Sequence, residues 1–143
     1  MTDAFWDSVL LFKGVYDQAL DPVAQRWNLT RMELDLLLFL ANNPAHNTAA
    51  EAARLRQWTK SHVSAAVHSL QNKNLLSAEH PKDNRKTWLL FPLPAAMESI
   101  RDGQAAQRSF YQTILRGVTQ EEEQSLEAIA EKIARNIRDA MKK

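Results

Sequence analysis

Three cationic side chains lie in a short stretch that also carries turn-forming residues. Lys82, Arg85 and Lys86 belong to Pro81-Lys82-Asp83-Asn84-Arg85-Lys86, between two β-prone segments at 76–80 and 87–91. Proline, aspartate and asparagine favour turns, so the stretch predicts the tip of a β-hairpin. Ammonium and guanidinium groups at such a tip can pair with phosphate groups. The sequence therefore predicts an anion-binding hairpin.

The hairpin follows a predicted helix that has no acidic residue from Thr59, its expected cap, to Lys73. Short or hydrogen-bonding side chains let a helix approach base edges in a DNA groove about 12 Å wide. The alternative is an ordinary solvated helix, although such helices usually carry glutamate. The expected inner face is Val63, Ala66, Val67 and Leu70. The outer face is Lys60, Ser61, His62, Ser64, Ala65, His68 and Asn72.

The preceding segments complete a winged helix-turn-helix. Leu29-Thr30-Arg31-Met32-Glu33-Leu34 combines a capping box with a hydrophobic staple and opens a leucine-rich helix that we expect to be central. Thr48-Ala49-Ala50-Glu51 is a second capping box, at the start of a short alanine-rich helix. Asn74 is expected in the left-handed conformation after the next helix. The predicted fold class is mainly α with a small β-hairpin wing.

Long helices flank this region at about 4–25, 94–116 and beyond the capping box Thr119-Gln120-Glu121-Glu122. We expect Pro22 to end or bend the first of them. Because a small winged domain already buries its own apolar stripes, the surplus stripes of the flanking helices predict dimerisation. A two-fold dimer would present two recognition helices to successive major grooves.

Charge and composition narrow the function classes. The net charge is only +1, yet residues 54–86 carry +5 and residues 1–53 carry −4. There is no cysteine, no apolar run of membrane-spanning length and no secretory signal, so we expect a cytoplasmic protein without membrane contact. Neither the four histidines nor any other motif indicates a metal, a cofactor or a catalytic site, so we expect no enzyme.

Five segments, taken in order, resemble the multiple antibiotic resistance regulator (MarR) family. The most specific is the hairpin motif Asp83-Asn84-Arg85, in register with the preceding helix. The resemblance covers nearly the whole chain and implies a homodimeric winged-helix transcription factor. Family members are commonly repressors, and many release DNA when a small ligand binds. The remaining segments are Leu29-Thr30, Lys60-Ser61-His62-Val63-Ser64, Leu70-Gln71-Asn72-Lys73-Asn74-Leu75-Leu76 and Val118-Thr119-Gln120-Glu121-Glu122.

On this resemblance we expect one MarR-like domain, 1–143, with a DNA-binding region at 30–93 and dimerisation regions at 1–27 and 94–143. The expected partner is double-stranded DNA with an inverted-repeat operator, and Arg85 would enter its minor groove. Asp83 is interpreted as support for Arg85 or for the turn. Ala65 stands where the family often has arginine, so we expect the wing to carry more of the recognition. The predicted DNA-binding residues are Thr59, Lys60, Ser61, His62, Ser64, Ala65, His68, Lys82, Asn84, Arg85 and Lys86.

Aromatic side chains raise a further hypothesis, a pocket for a small aromatic ligand. Its alternative is that the same residues are ordinary core and interface residues. Two other functions also remain open at this point: a winged-helix module that binds protein and not DNA, and a small-molecule-binding protein. The residues of the predicted ligand pocket are Phe5, Trp6, Phe12, Tyr16 and Trp58.

Overall fold

The computed structural model describes residues 1–142, and Lys143, which the predicted domain and dimerisation region include, lies outside the described residues. By their internal contacts the residues form two units, Met1–Phe110 and a second unit that begins at Tyr111. The predicted fold class is confirmed. The elements are α1 (Asp3–Arg26), α2 (Arg31–Asn42), α3 (Ala49–Arg56), α4 (Lys60–Asn72), β1 (Leu76–Glu79), β2 (Leu89–Pro92), α5 (Met97–Ile114) and α6 (Gln120–Met141).

Helix α2 forms the centre of the first unit, as its leucine-rich sequence predicts. It contacts α1, α3, α4 and β2, and its six residues Leu34 and 36–40 are all buried. Leu29 and Leu34, the two residues of the predicted hydrophobic staple, are both buried in the core. Gly103 of α5 also lies close to α2, since a Cβ at this position would come within 2.9 Å of a Leu38 methyl group. The helices of the winged region are therefore positioned around α2.

Arg31 joins α1 to α2 through charged hydrogen bonds. Its guanidinium donates to Asp17 at 3.0 Å and Asp21 at 2.9 Å on α1, and to Asp35 at 3.1 Å on its own helix. Burial raises the pKa of the Asp35 carboxyl, and Arg31 offsets only part of that effect. Pro22 does not end α1, contrary to one of the two predicted outcomes, because the helix continues to Arg26. Burial of the residues after Pro22 stabilises this last turn.

Glu33 links the first turn of α2 to the last turn of α4, and it is 1% exposed. The predicted capping box is formed, since Glu33 accepts from the Thr30 amide at 2.9 Å and donates its own amide to the Thr30 hydroxyl. The same carboxylate accepts from the Ser69 hydroxyl and from the Lys73 ammonium, both at 3.0 Å. Lys73 also donates to the Asn28 carbonyl. These bonds hold the end of α4 against α2.

The second predicted capping box is only half formed. The Thr48 hydroxyl accepts from the Glu51 amide at 3.1 Å, as expected for a cap. However, the Glu51 carboxylate contacts the Thr48 hydroxyl and the His46 ring, with Oε2 2.6 Å from His46 Nδ1, instead of reaching back to the Thr48 amide. His46 therefore competes for the carboxylate that the motif assigns to the helix start.

Strands β1 and β2 pair antiparallel, with Ser77 opposite Phe91 and Ala78 opposite Leu90. The segment before α3 extends this sheet, because the Leu90 amide donates to the Asn47 carbonyl at 2.8 Å and the Ala49 amide donates to the Trp88 carbonyl at 3.2 Å. The wing is thus anchored to the start of the helix-turn-helix. Asn74 has φ +59°, which confirms its predicted left-handed conformation.

The second unit contains α6, which begins with the predicted capping box of Thr119 and Glu122. Gly117, with φ +81°, makes the preceding turn, a conformation that residues with a Cβ rarely adopt. No residue of α6 is buried among those the structure describes. No described helix is long and apolar enough to cross a membrane.

We predict that Glu33→Gln lowers the free energy of unfolding by about 2–3 kcal/mol, because it leaves the Lys73 ammonium without its anionic partner. Urea unfolding at one fixed protein concentration measures this change. Glu79→Gln is the matched control, since Glu79 is exposed on β1. A control effect as large as the Glu33 effect would contradict the assigned role.

The destabilisation by Glu33→Gln should also depend on pH. Burial raises the pKa of Glu33, but hydrogen bonds from Thr30, Lys73 and Ser69 more than offset it, so the pKa lies below the ordinary value of 4.5. A carboxyl with a lowered folded-state pKa contributes stability that is present above its unfolded pKa and is lost as pH falls through the folded pKa. The difference between the two proteins should therefore narrow in acid. A difference that stays constant below pH 4.5 would exclude this linkage.

Candidate nucleic-acid interface

The outward face of α4 is open and polar, as predicted. The predicted inner residues are buried, which confirms the orientation of the helix. The Thr59 hydroxyl is engaged as the cap, because it accepts from the His62 amide at 3.1 Å and lies 3.3 Å from the Ser61 hydroxyl. The residues of the predicted site on this face that are exposed are Thr59, Lys60, Ser61, His62, Ser64, Ala65 and His68.

Asn84 holds the tip of the wing together. Its amide donates to the Pro81 carbonyl at 3.1 Å, and its side-chain oxygen accepts from the Lys86 amide at 3.0 Å. Its side-chain nitrogen donates to the Thr87 hydroxyl at 2.7 Å. Asn84 thus connects both sides of the tip, through its backbone amide on one side and its side chain on the other, and it is engaged in the fold as well as being a predicted DNA contact.

The charged residues of the tip are exposed. Lys82, Asp83, Arg85 and Lys86 make no side-chain hydrogen bond or ion pair with any residue that the structure describes. The three cations are therefore available to an external anion. The hydrogen bonds that stabilise the turn come from Asn84. The predicted role of Asp83 in supporting the turn or Arg85 stays a prediction.

An aromatic stack closes the base of the wing. The His80 and Trp88 rings lie with their centroids 3.7 Å apart, across the hairpin from each other. His80 Nδ1 lies 3.0 Å from the Thr87 carbonyl, and because a carbonyl only accepts, Nδ1 carries the hydrogen in this contact. The stack ties the two arms of the hairpin together between the strands and the tip.

A groove of about 500 Å³ lies between α4 and the wing. Lys60 and His68 come from α4 and Lys86 from the wing, so the structure brings together residues of the predicted site that lie up to 26 positions apart in the sequence. Trp88 and Gln71 also line the groove, and neither was among the predicted site residues. Trp88 could have been identified from its position, because it is a large aromatic residue directly before β2 and next to the basic tip. The floor is apolar and consists of Ala49, Ala50, Ala53, Val63 and Val67.

The residues of the predicted aromatic pocket occupy different surroundings. Phe12 and Tyr16 stack on α1, and both contact Phe110 of α5 with centroids 5.1 Å apart. Phe5 and Trp6 contact each other near the start of α1. Trp58 instead packs edge-on against Phe39 of α2, within the winged region. A single ligand pocket that includes all five residues stays a prediction. No group of three or more potential metal ligands occurs among residues 1–142.

Residues 27–86 match the model of the MarR family. They begin just before α2 and include α3, α4, β1 and the wing tip. This winged-helix segment is similar to the MarR family. The predicted resemblance is thereby confirmed, and it rests on the segment that carries the polar face of α4 and the basic tip. No curated protein matches the chain.

Solved MarR structures share the fold over nearly the whole chain. A putative MarR family transcriptional regulator from Listeria monocytogenes, complexed with 26mer DNA, has a TM-score of 0.83 at 19% identity and covers 98% of this chain and 92% of its own. A MarR protein from Peptoclostridium difficile has a TM-score of 0.79 at 16% identity, with coverages of 97% and 90%. Staphylococcus aureus MarR, in complex with salicylate and kanamycin, has a TM-score of 0.74 at 16% identity, with coverages of 95% and 91%.

We predict that Asn84→Ala loosens the wing tip without unfolding the domain. The amide of Lys86 loses its acceptor, so its hydrogen exchange should accelerate, whereas amides of the buried α2 helix should keep their protection. Exchange followed residue by residue with NMR measures both. Lys82→Ala is the neighbouring control, because the Lys82 side chain is exposed, and it should leave the Lys86 amide unchanged. Equal acceleration in the two variants would show that Asn84 does not brace the tip.

Proposed function

We propose that this chain is a sequence-specific regulator of transcription that binds double-stranded DNA as a homodimer. The observation that carries the proposal is the groove between α4 and the wing. Lys60 and Lys86 line it from opposite sides, and no acidic residue contributes to its lining. A surface of this charge attracts a phosphate backbone.

In the proposed complex α4 lies in the major groove and Arg85 lies in the adjacent minor groove. The sugar–phosphate strand that separates these two grooves would then run over the groove between helix and wing. Lys60, Lys82 and Lys86 bind phosphates in this arrangement, which positions the protein without reading sequence. The exposed methyl group of Ala65 can contact a thymine methyl group, a form of base readout open to a short apolar side chain.

A homodimer accounts for the apolar surfaces that the chain leaves uncovered. On α1 the side chains of Trp6, Val9, Leu10 and Phe12 are 45–72% exposed. An amphipathic helix such as α6, in which no described residue is buried, gains little stability from propensity alone and needs a partner for its apolar face. A second copy related by two-fold symmetry supplies that partner. It also places two α4 helices about 34 Å apart, so the preferred operator is an inverted repeat.

We propose further that the protein acts in the cytoplasm as a repressor without enzymatic activity, and that a small aromatic ligand controls its release from DNA. Support for a ligand comes from the aromatic residues of α1, of which Trp6 is 52% and Phe12 45% exposed. The similarity to Staphylococcus aureus MarR, whose structure contains salicylate, agrees with a ligand of this class. Titration of salicylate against the DNA-bound protein tests this part of the proposal.

We predict that Arg85→Ala weakens operator binding by about 1–3 kcal/mol and relaxes sequence preference where the wing meets the minor groove. Fluorescence titration against promoter fragments measures the change. Arg101→Ala is the charge-matched control, since Arg101 is exposed on α5, outside the proposed interface. If the two variants bind alike, Arg85 does not lie in the groove.

The salt dependence of the same titration tests the proposed function itself. Affinity should fall linearly on logarithmic axes as salt rises, and Lys82→Ala should reduce the slope by about one. Absence of DNA affinity at low salt would favour a winged-helix module that binds protein. Aromatic ligands that raise the melting temperature of a chain without DNA affinity would favour a small-molecule-binding protein.

A further inference from the structure

Trp88 combines a fixed position in the wing with an exposed ring. Its backbone carbonyl accepts from the Ala49 amide at 3.2 Å, which ties the residue to the start of α3. Its ring stacks on His80 with the centroids 3.7 Å apart. The side chain is nevertheless 43% exposed, and it lines the groove between α4 and the wing. The wing therefore presents a large aromatic surface to this groove.

The lining of the groove is amphipathic. Its floor consists of alanine and valine side chains, whereas Lys60 of α4 and Lys86 of the wing contribute cations and no acidic residue lines it. A phosphate group can pair with either lysine, but it would leave the floor and the Trp88 ring in contact with water. Removing these apolar surfaces from water requires an apolar group. The whole groove is therefore complemented only by an occupant with both anionic and apolar parts.

The Trp88 indole also has a hydrogen-bond donor that the fold does not use. An indole N–H can only donate, and Nε1 of Trp88 has no acceptor among residues 1–142. In contrast, Nε1 of Trp27 donates to the Asp102 carboxylate at 2.8 Å. Trp88 thus offers an apolar ring and a donor to the same occupant of the groove.

We infer that Trp88 binds the sugar–phosphate strand of DNA, with its ring against a deoxyribose and its N–H directed at an adjacent phosphate. The inference rests on the proposed function, in which this strand runs over the groove. A DNA strand alternates apolar sugar carbons with anionic phosphates, so it has both properties that the groove requires. The stack on His80 holds the ring before DNA arrives, so little side-chain freedom is lost on binding. Trp88 is then a DNA contact in addition to those predicted from the sequence.

Contact with the sugar distinguishes Trp88 from the charged residues of the wing. Sugars carry no base sequence, and a neutral side chain releases no counterions. Trp88→Ala should therefore weaken binding to a promoter fragment and to a random-sequence duplex by the same factor, about tenfold, without changing the salt slope. Phe91→Ala is the matched control, because Phe91 is 41% exposed on β2 and is not among the residues that line the groove. Equal effects of the two variants, or a loss confined to the promoter fragment, would overturn the inference.

Trp88→Phe is the second variant, in case removal of the whole ring disturbs the wing. It keeps an aromatic ring beside His80 and the groove floor but removes the N–H donor. Most of the affinity for both duplexes should therefore remain, with a smaller loss than in Trp88→Ala. A loss as large as that of Trp88→Ala would overturn the packing of the ring on the sugar.

Fluorine NMR of the chain labelled with 5-fluorotryptophan tests the contact directly, and Trp88→Phe assigns the Trp88 resonance. The shift of this resonance between water and heavy water reports contact with solvent, and it should vanish when the random-sequence duplex binds. Trp27, 36% exposed and outside the groove lining, should keep its solvent shift. If the Trp88 solvent shift persists while fluorescence titration shows DNA binding, the inference fails and the proposed function stands. Absence of binding at low salt would overturn both.

Discussion

The direction in which α4 faces depends on one buried carboxylate. Glu33 caps α2 and at the same time accepts hydrogen bonds from Ser69 and Lys73 near the end of α4. A carboxylate at 1% exposure is costly unless all its partners are in place, so α4 has little freedom to rotate or slide without losing them. Since α2 lies within the core, these hydrogen bonds fix the orientation of α4 relative to the core and so determine which of its residues are exposed.

The wing is fixed by a different set of interactions, and these leave its cations free. Backbone hydrogen bonds join Leu90 and Trp88 to the segment before α3, and the His80 ring stacks on Trp88 just below the tip. Asn84 satisfies the turn internally. The polar and aromatic groups therefore form the scaffold, while Arg85 and its neighbouring lysines remain available for a phosphate-bearing partner.

Two kinds of surface on this chain call for different partners. The face formed by α4 and the wing carries exposed cations and polar side chains around an apolar groove floor, and a polyanion complements its charge. The stripe of α6 and the start of α1 are apolar, and only another apolar surface removes them from water. In the proposed regulator a second copy covers the apolar surfaces, and the resulting two-fold symmetry sets the spacing at which two cationic faces meet DNA.

Interactions between residues close in the sequence were predictable, and those between distant residues were not. The capping boxes at Thr30 and Thr119 involve residues three apart, so the sequence by itself determined these helix starts as well as the helical class and the winged arrangement. The capping box at Thr48 is an exception among these local interactions, because the Glu51 carboxylate contacts His46 instead of the Thr48 amide. Only the tertiary structure decided that Glu33 would bind α4 some 36 residues away, and that Trp88 would line the groove. Such contacts depend on packing geometry, which local spacing does not encode.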